Sequence, residues 1–440
     1  MIYVPEQYTI RGVGAESIAS DIEAAISSGA LAPGTELPPI RELAGQLGVN
    51  ANTAAAAYRL LRERGAVETA GRRGTRVRER PATTPRSLRG ITVPAGARDL
   101  STGNPDPALL PILRLSTQRS APVLYGDPAV SAGLAEYAIA SLNADDVPAE
   151  HIAVTAGALD GIERVLAAHL RPGDRVAVED PGWANLLDLL AALGVSAEPM
   201  RVDDDGPLTA NVERVLRRGV RALIVTSRAQ NPTGAAVSAA RAAELRSVLA
   251  EHDVLLVEDD HCAGIAGAPL HTLAGATRHW AFVRSAAKAY GPDLRLALLT
   301  GDQRTVERVQ GRLRLGPGWI SHLLQDLAVS LWRDKAAATV VREAEIAYTH
   351  GREALRAALA DRGVTSHGRS GLNVWVPVPD ETVAITRLLN TGWAAAPGAR
   401  FRIGSAPGIR ITISGLGADD IGSLADGIAD AVQRVGRASV

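Results

Sequence analysis

The sequence predicts an α/β protein in two parts: a small helical head that closes with a hairpin, and a large domain built on a mainly parallel sheet. Three observations carry that expectation. From Leu100 onward, short β-rich runs alternate with helical stretches, the pattern of a sheet covered by crossover helices. The first eighty residues show instead one short helix after another, separated by glycine, and then two brief extended runs. The chain has 440 residues, of which 46% are hydrophobic, enough for about two to four domains with ample core.

Composition excludes several classes. A net charge of −1 excludes a uniformly basic nucleic-acid coat, and the apolar fraction excludes a largely disordered chain. No apolar run approaches the roughly 18 residues of a membrane helix. The opening Met1–Glu6 has neither the charged nor the apolar region of a secretory signal. Cys262 stands alone, so an internal disulfide or a thiolate cluster is excluded, and the expectation is a soluble cytoplasmic protein without a membrane partner. Only two of the 47 basic residues are lysines, Lys288 and Lys335, so amine chemistry has two side-chain candidates. Charge is also uneven. Residues 1–40 carry one arginine against five carboxylates, whereas residues 41–80 carry nine arginines against four, which suggests a local anionic partner.

In the head, Ala15–Ser28 places Ile18, Ile22, Ala25 and Ile26 at helical spacing, and Gly29 ends it. A second helix opens in the Leu37-Pro-Pro-Ile-Arg-Glu-Leu-Ala stretch, with Pro39 suited to its first turn, and Gly48-Val-Asn breaks it after Leu47. Asn50 or Asn52 can cap a third helix that runs through Tyr58, Leu60 and Leu61 to Gly65. Two short helices joined by a glycine-containing turn form a helix-turn-helix pattern. Ala66–Thr69 and Thr75–Arg78 flank Gly71-Arg-Arg-Gly74, a hairpin with a basic tip. Such a module suits phosphate contacts and groove entry. The bland alternative is a packing knob with solvated arginines.

The uninterrupted stretch LPPIRELAGQLGVNANTAAAAYRLLRERGAVETAGRRGTRV resembles the winged-helix head of GntR-type bacterial regulators. The resemblance implies that Arg41 and the helix from Asn50 through Asn52 and Thr53 to Tyr58 meet DNA, and that Arg72 and Arg73 form the wing. Ala51 departs from the pattern, where arginine is common. The head is expected over residues 1–78 and a connector over 79–97. Pro81, Pro85 and Pro94 lie in that connector without a periodic apolar face. At roughly 3.1 Å per residue it could span about 60 Å, although it also reads as a covered segment of the large domain.

The large domain is expected over residues 98–440. Its strand candidates are His151–Thr155, Arg175–Glu179, Ala222–Thr226, Val254–Glu258, Trp280–Arg284 and Leu296–Thr300; helices such as Ala158–Leu170 and Ala239–Glu251 lie between several of them. Ligands on such sheets gather at the strands' carboxyl ends, and the polar signatures fall there. In order they are Tyr125-Gly-Asp-Pro, Thr155-Ala-Gly-Ala-Leu-Asp, Glu179-Asp-Pro-Gly-Trp-Ala-Asn, Asn231-Pro-Thr-Gly, Glu258-Asp-Asp-His, Ser285-Ala-Ala-Lys288 with Arg295, and Arg410 in Gly-Ile-Arg-Ile-Thr. Singly each is weak. Together they resemble fold-type I pyridoxal-phosphate aminotransferases over about residues 98–437, which implies that fold and that cofactor.

Pyridoxal phosphate needs an amine, and Lys288 follows a strand inside the motif, whereas Lys335 reads as a solvated charge on a helix. The pyridinium nitrogen needs a carboxylate. Asp259 is placed for it at a strand end, with Asp260 the competing choice that alternation turns the other way. Asn231 can donate to the phenolic oxygen, and Trp183 can stack on the ring unless it is a plain core residue. The phosphate site would join the backbone amides of Gly157, Ala158 and Leu159, opening a helix, to Ser285 and Arg295. The resemblance implies that Tyr125 completes the site from a second subunit and that Arg410 holds an effector carboxylate. His261 departs from the pattern, standing where most aminotransferases carry a tyrosine. It can donate to the cofactor and titrate near neutrality, or it can be a satisfied pocket residue.

A DNA-binding head on an aminotransferase-like body resembles the MocR subfamily of GntR regulators, and GNPDP, RAQNPTG and KAYGPDLRLA point to its PtsJ-type branch. The resemblance implies a head-to-tail homodimer, operator DNA as partner, and pyridoxal phosphate, bound as an internal aldimine on Lys288, or a small amine as signal. The expected function is a ligand-responsive transcriptional regulator, with at most a weak transaminase half-reaction. The alternative is a working aminotransferase that its head merely localises. A DNA-bridging dimer indifferent to small molecules would leave the Lys288 constellation unexplained.

Overall fold

The computed structural model describes residues 9–28, 30–32, 34–63, 66–69, 74–77, 91–114 and 122–433. The chain divides into two compact units, one centred on the first 85 residues and the other on the rest.

The head holds α1 (Ala15–Ser28), β1 (Glu36–Leu37), α2 (Ile40–Leu47), α3 (Ala51–Glu63), β2 (Val67–Thr69) and β3 (Thr75–Val77). Its core is the apolar stripe of α1 (Ile18, Ile22, Ala25) against Ala54, Ala57, Tyr58 and Leu61 of α3, all buried at helical spacing. Pro39 occupies the N-cap of α2, and Gly48 closes it with φ of 66°, a left-handed turn that favours glycine. At the start of α3 the Asn50 side chain accepts the Asn52 amide at 2.8 Å, so Asn50 is the cap. The unforeseen element is β1, which pairs antiparallel with β3 to give the order β1-β3-β2. Two residues show no periodicity, and only the pairing, with Arg76 on Glu36 at 2.7 Å, makes them a strand.

The body begins with β4 (Arg98–Asp99), followed by α4 (Ala132–Asn143), β5 (Ile152–Thr155), α5 (Ala158–His169), β6 (Arg175–Asp180), α6 (Ala184–Ala192), β7 (Ser196–Asp203), β8 (Gly206–Pro207) and α7 (Thr209–Arg217). Next come β9 (Ala222–Thr226), α8 (Ala239–Ala250), β10 (Leu255–Asp260), β11 (His279–Ser285), α9 (Ala287–Tyr290), β12 (Ala297–Gly301), α10 (Gln303–Arg314), α11 (His322–Arg333) and α12 (Lys335–Ala360). The remainder is β13 (Asn373–Pro377), α13 (Glu381–Asn390), β14 (Trp393–Ala394), β15 (Ala396–Pro397), β16 (Gly408–Thr412) and α14 (Ala418–Gln433).

Eight strands form the large sheet in the order β5-β12-β11-β10-β9-β6-β7-β8. Its centre, β11, β10, β9 and β6, is parallel, and β12 runs antiparallel to both β11 and β5. The central strands are apolar on both faces because helices cover both, as the unbroken run of buried residues in β9 shows. Leu223, Val225, Leu256 and Phe282 pack with Val212, Leu216, Leu245 and Leu249 of α7 and α8. A second core joins α12, α13 and α14 to a small sheet of order β13-β16-β15, through Leu355, Val374, Ile409, Ile411 and Leu424.

Candidate functional site

The end of β10 sets the geometry. Successive side chains of a strand face opposite ways, and Glu258, Asp259 and Asp260 are all buried. Asp260 takes Nε of Arg228 at 2.8 Å and Nε of Arg284 at 2.9 Å. Burial alone would raise its pKa, but the two guanidinium groups outweigh that and lower it. Glu258 accepts from Ser227 Oγ at 2.7 Å, Thr272 Oγ1 at 2.8 Å and the Leu273 amide at 3.0 Å, and burial pushes its pKa up to about 7. Asp259 is different. Its Oδ2 lies 2.8 Å from Nδ1 of His261, while its Oδ1 is buried without a partner. An orphaned buried carboxylate oxygen is costly unless something cationic or protonated meets it. Of the two sequence candidates, Asp259 is the one left open toward the site.

Lys288 sits in the short helix α9, which follows directly from β11, and Ser285 Oγ accepts the Ala287 amide at 3.2 Å. Its Nζ donates to the carbonyl of Gly103 at 2.6 Å. Burial lowers the amine's pKa and the charge of Arg410 adds to that, against an opposing effect of Cys262, so the amine gives up its proton more readily than an ordinary lysine. Arg410, on β16, is 4% exposed. It donates to Asn231 Oδ1 at 2.9 Å and to the Ser101 carbonyl at 2.6 Å, lies 4.9 Å over the Phe401 ring, and has a buried Nε without a partner. Burial and the nearby Arg400 press its pKa down to about 9, against a smaller pull from Asp99. Among the described residues no carboxylate pairs with it, so the site holds a buried cation in need of an anion.

Trp183 follows β6 and lies nearly parallel to the His261 ring, with centroids 6.2 Å apart and planes at 25°. Burial disfavours a charged His261, but Cys262 and the Asp259 carboxylate outweigh it and hold the imidazole pKa well above its ordinary value. At the start of α5, Gly157 has φ of 102° and no side-chain cap. A Cβ there would lie 3.3 Å from the Arg295 guanidinium. Arg295 donates to the Ala156 carbonyl at 2.7 Å. The first-turn amides of Gly157, Ala158 and Leu159 have no intrahelical acceptor. Glycine therefore leaves a cradle of amides and a guanidinium where an anion can approach the backbone. An amine, an orphaned carboxylate oxygen, an aromatic face and an anion cradle are the donor set that pyridoxal phosphate requires, and the residues fit it.

Other expected residues fall elsewhere. Tyr125 is 95% exposed, with its ring edge-on to Trp319 at 5.7 Å. In the head, Arg41, Asn50 and Asn52 are exposed and Thr53 is half-buried. Tyr58 corrects the expectation that it meets DNA: it is 2% exposed, and its hydroxyl donates to the Pro38 carbonyl at 2.6 Å. It ties α3 to the start of α2, because position 58 falls on the buried stripe rather than the outer face. Arg72 and Arg73 lie outside the described residues.

Sequence reasoning missed the partners of the two central cations. Ser101 and Gly103 supply carbonyls to Arg410 and Lys288, and Thr412 Oγ1 accepts the Gly103 amide at 3.1 Å. The Gly103-Asn-Pro-Asp-Pro run was a signal of an unusual turn, and Gly103 does take φ of 72°, but carbonyl contacts leave no residue-type signature. Arg228 and Arg284 were likewise invisible as partners of Asp260.

Comparisons with known proteins agree with the fold. Residues 102–428 match the family of class I and II aminotransferases, and residues 15–77 match the gntR family of bacterial regulatory proteins. The chain is 40% identical to the vitamin B6 salvage pathway transcriptional repressor PtsJ of Salmonella typhimurium, over 97% of this chain and all of that one. It is 30% identical to the pyridoxine biosynthesis transcriptional regulator PdxR of Corynebacterium glutamicum, over 55% of each chain. Among solved structures, the kynurenine aminotransferase of Pyrococcus horikoshii superposes with a TM-score of 0.70 at 20% identity, covering 78% of this chain and 92% of that one. The α-aminoadipate aminotransferase LysN of Thermus thermophilus gives 0.66 at 21%, covering 78% and 94%. At those identities the likeness is one of fold.

Proposed function

Because the chain belongs to the MocR subfamily of GntR regulators, with an aminotransferase class I and II body, we propose that it is a transcriptional regulator that binds operator DNA through its head and senses pyridoxal phosphate, or a small amine, through its body. One observation carries the sensing half: Lys288, the orphaned Asp259 Oδ1 and the unpaired Arg410 converge at the sheet's carboxyl edge. Pyridoxal phosphate supplies an aldehyde that condenses with a primary amine. Lys288, whose pKa burial lowers, is the amine offered. Asp259 holds a proton on the ring nitrogen, Trp183 covers a ring face, and Asn231 orients the phenolic oxygen. Gly157, Ala158, Leu159, Ser285 and Arg295 bind the phosphate, and Arg410 takes the carboxylate of an amino-acid effector.

His261, which stands where most aminotransferases carry a tyrosine, commits its Nδ1 to Asp259 at 2.8 Å. That supports a sensor over an efficient catalyst. A working aminotransferase is the second reading, favoured by Arg410, whose buried unpaired charge suits an amino-acid substrate.

The site is completed by Tyr125 of a second copy in a head-to-tail homodimer. Adjacent exposed Leu124 (64%) and Tyr125 (95%), the latter with its ring edge-on to Trp319 at 5.7 Å, support a contact with another copy. Among the described residues no helix is long and apolar enough to cross a membrane, and operator binding assigns the work to the cytoplasm. A gel shift on the protein's own upstream DNA, with and without pyridoxal phosphate, tests the whole reading. Operator affinity should change with the cofactor, and borohydride trapping should mark Lys288. An unmarked lysine, or equal affinity in both lanes, would sink it.

A further inference from the structure

We propose that Arg98–Asn104 is a strap through which the state of the site reaches the connector between body and head, and that Lys288 and Arg410 are its releasable fasteners. The inference rests on the cofactor reading above and adds its regulation. The strap follows the connector directly in the chain, and its contacts are of two kinds.

Some contacts involve no ligand-binding group. Strand β4 pairs with β14, and the Leu100 amide donates to the Ala394 carbonyl at 2.8 Å. The Thr412 amide donates to the Leu100 carbonyl, also at 2.8 Å, and Ser414 Oγ donates to the Asn104 carbonyl. The Gly103 amide also donates to Thr412 Oγ1 at 3.1 Å, and two further contacts come from the cationic side chains at the centre of the site. Lys288 Nζ holds the Gly103 carbonyl and Arg410 Nη2 holds the Ser101 carbonyl, each at 2.6 Å. The strap and the arginine are close-fitting, since a Cβ on Gly103 would stand 3.1 Å from Arg410 Nη2.

Ligand chemistry competes for both fasteners. Condensation joins Nζ to the aldehyde carbon. The ammonium group first releases one proton to solvent, and the two hydrogens left on the amine depart with the carbonyl oxygen as water, so Nζ would no longer offer the Gly103 carbonyl an ammonium donor. A carboxylate is likewise a better partner for Arg410 than a neutral carbonyl, because two parallel charge-assisted bonds replace one. The orphaned Arg410 Nε gives such a carboxylate a second donor. Cofactor and effector therefore each remove one hydrogen bond from the strap. Bonds that involve a charged donor are the stronger kind, so the strap loosens while the contacts of β4 keep it in place.

Hydrogen exchange on the full chain, read by mass spectrometry beside the visible absorbance of the same sample, tests this. On adding pyridoxal phosphate, amides of Arg98–Asn104 should exchange faster by about tenfold or more, the equivalent of losing one charge-assisted bond. Gly103→Ala should show the fast exchange without any cofactor, and its unloaded operator affinity should match that of the loaded wild type. Thr412→Val, a milder change that removes the acceptor of the Gly103 amide, should speed exchange at that residue and serves if Gly103→Ala does not fold. A visible band with unchanged or slower strap exchange overturns the strap alone. Absence of the band overturns the cofactor reading, and the strap falls with it.

Discussion

The two neighbouring aspartates of β10 do different work, and substitution should separate them. Asp260→Asn leaves Arg228 and Arg284 buried around a neutral amide with Asp145 as their remaining carboxylate, 2.7 Å from Arg284 and 4.0 Å from Arg228, which should cost about 3 kcal/mol of stability. Asp259→Asn should fold normally but release the cofactor on dialysis, since only its Oδ1 is open. Melting curves and retained absorbance distinguish the two, and the opposite pattern would make Asp260 the cofactor partner. Strand alternation gave a ground for choosing between them; the two arginines that occupy Asp260 were not legible, because they come from β11 and a loop after β9. Buried carboxylates also set a pH dependence. Glu179, which accepts from the Thr226 amide and hydroxyl, and Glu258 are both raised by burial from 4.5 to about 7. The folded chain then holds more protons than the unfolded one between those values, so stability falls as pH rises through that window. His169 acts oppositely, lowered to about 4 chiefly by burial and then by Arg308, but it is spent above its ordinary value of 6.5. Glu258→Gln should therefore melt a few degrees above wild type at pH 8, and the gap should close as pH falls toward 5. A constant gap would mean that Glu258 does not titrate there.

Helices and strands of ordinary length were readable because one face of each is buried. The stripe Ile18, Ile22, Ala25 fixed α1, and the all-apolar run Ala222–Val225 fixed β9. Where an element is defined by its partner, the sequence was silent: β1 exists only as the third strand beside β3. The third head helix shows both sides of this. Its apolar period was legible, but Tyr58 was assigned to the outer face although it shares the buried stripe with Ala54 and Leu61. Tyr58→Phe should accordingly lower head stability by about 1 kcal/mol through loss of the Pro38 bond, with operator affinity of the folded protein unchanged. A loss of affinity with no loss of stability would return Tyr58 to the DNA face. The double change Arg72→Ala with Arg73→Ala should act the other way. Stability should hold while the salt dependence of operator binding flattens by about two counterions, and an unaltered slope would remove the wing from the phosphate backbone.

At the scale of the whole molecule, one chain joins a module that reads DNA to a body whose site carries unspent charges, and the body's site is incomplete if Tyr125 acts across a dimer. That is decided by mixing two defective chains. A Lys288→Ala chain lacks the amine, and a Tyr125→Ala chain lacks the tyrosine, so neither homodimer should retain cofactor well. In a heterodimer with Tyr125 reaching across, the Tyr125→Ala subunit keeps its own Lys288 and borrows the intact tyrosine of its neighbour. Random assortment should then restore about a quarter of the sites. If Tyr125 serves its own chain, every site in the mixture lacks one of the two groups and no absorbance returns. The same mixture probes regulation, because such a heterodimer carries one loadable site and two intact heads. If its operator affinity on loading lies midway between the empty and fully loaded wild type, each body acts on its own head. If one loaded site gives the full shift, the two bodies switch together, as a symmetric dimer with two global states requires.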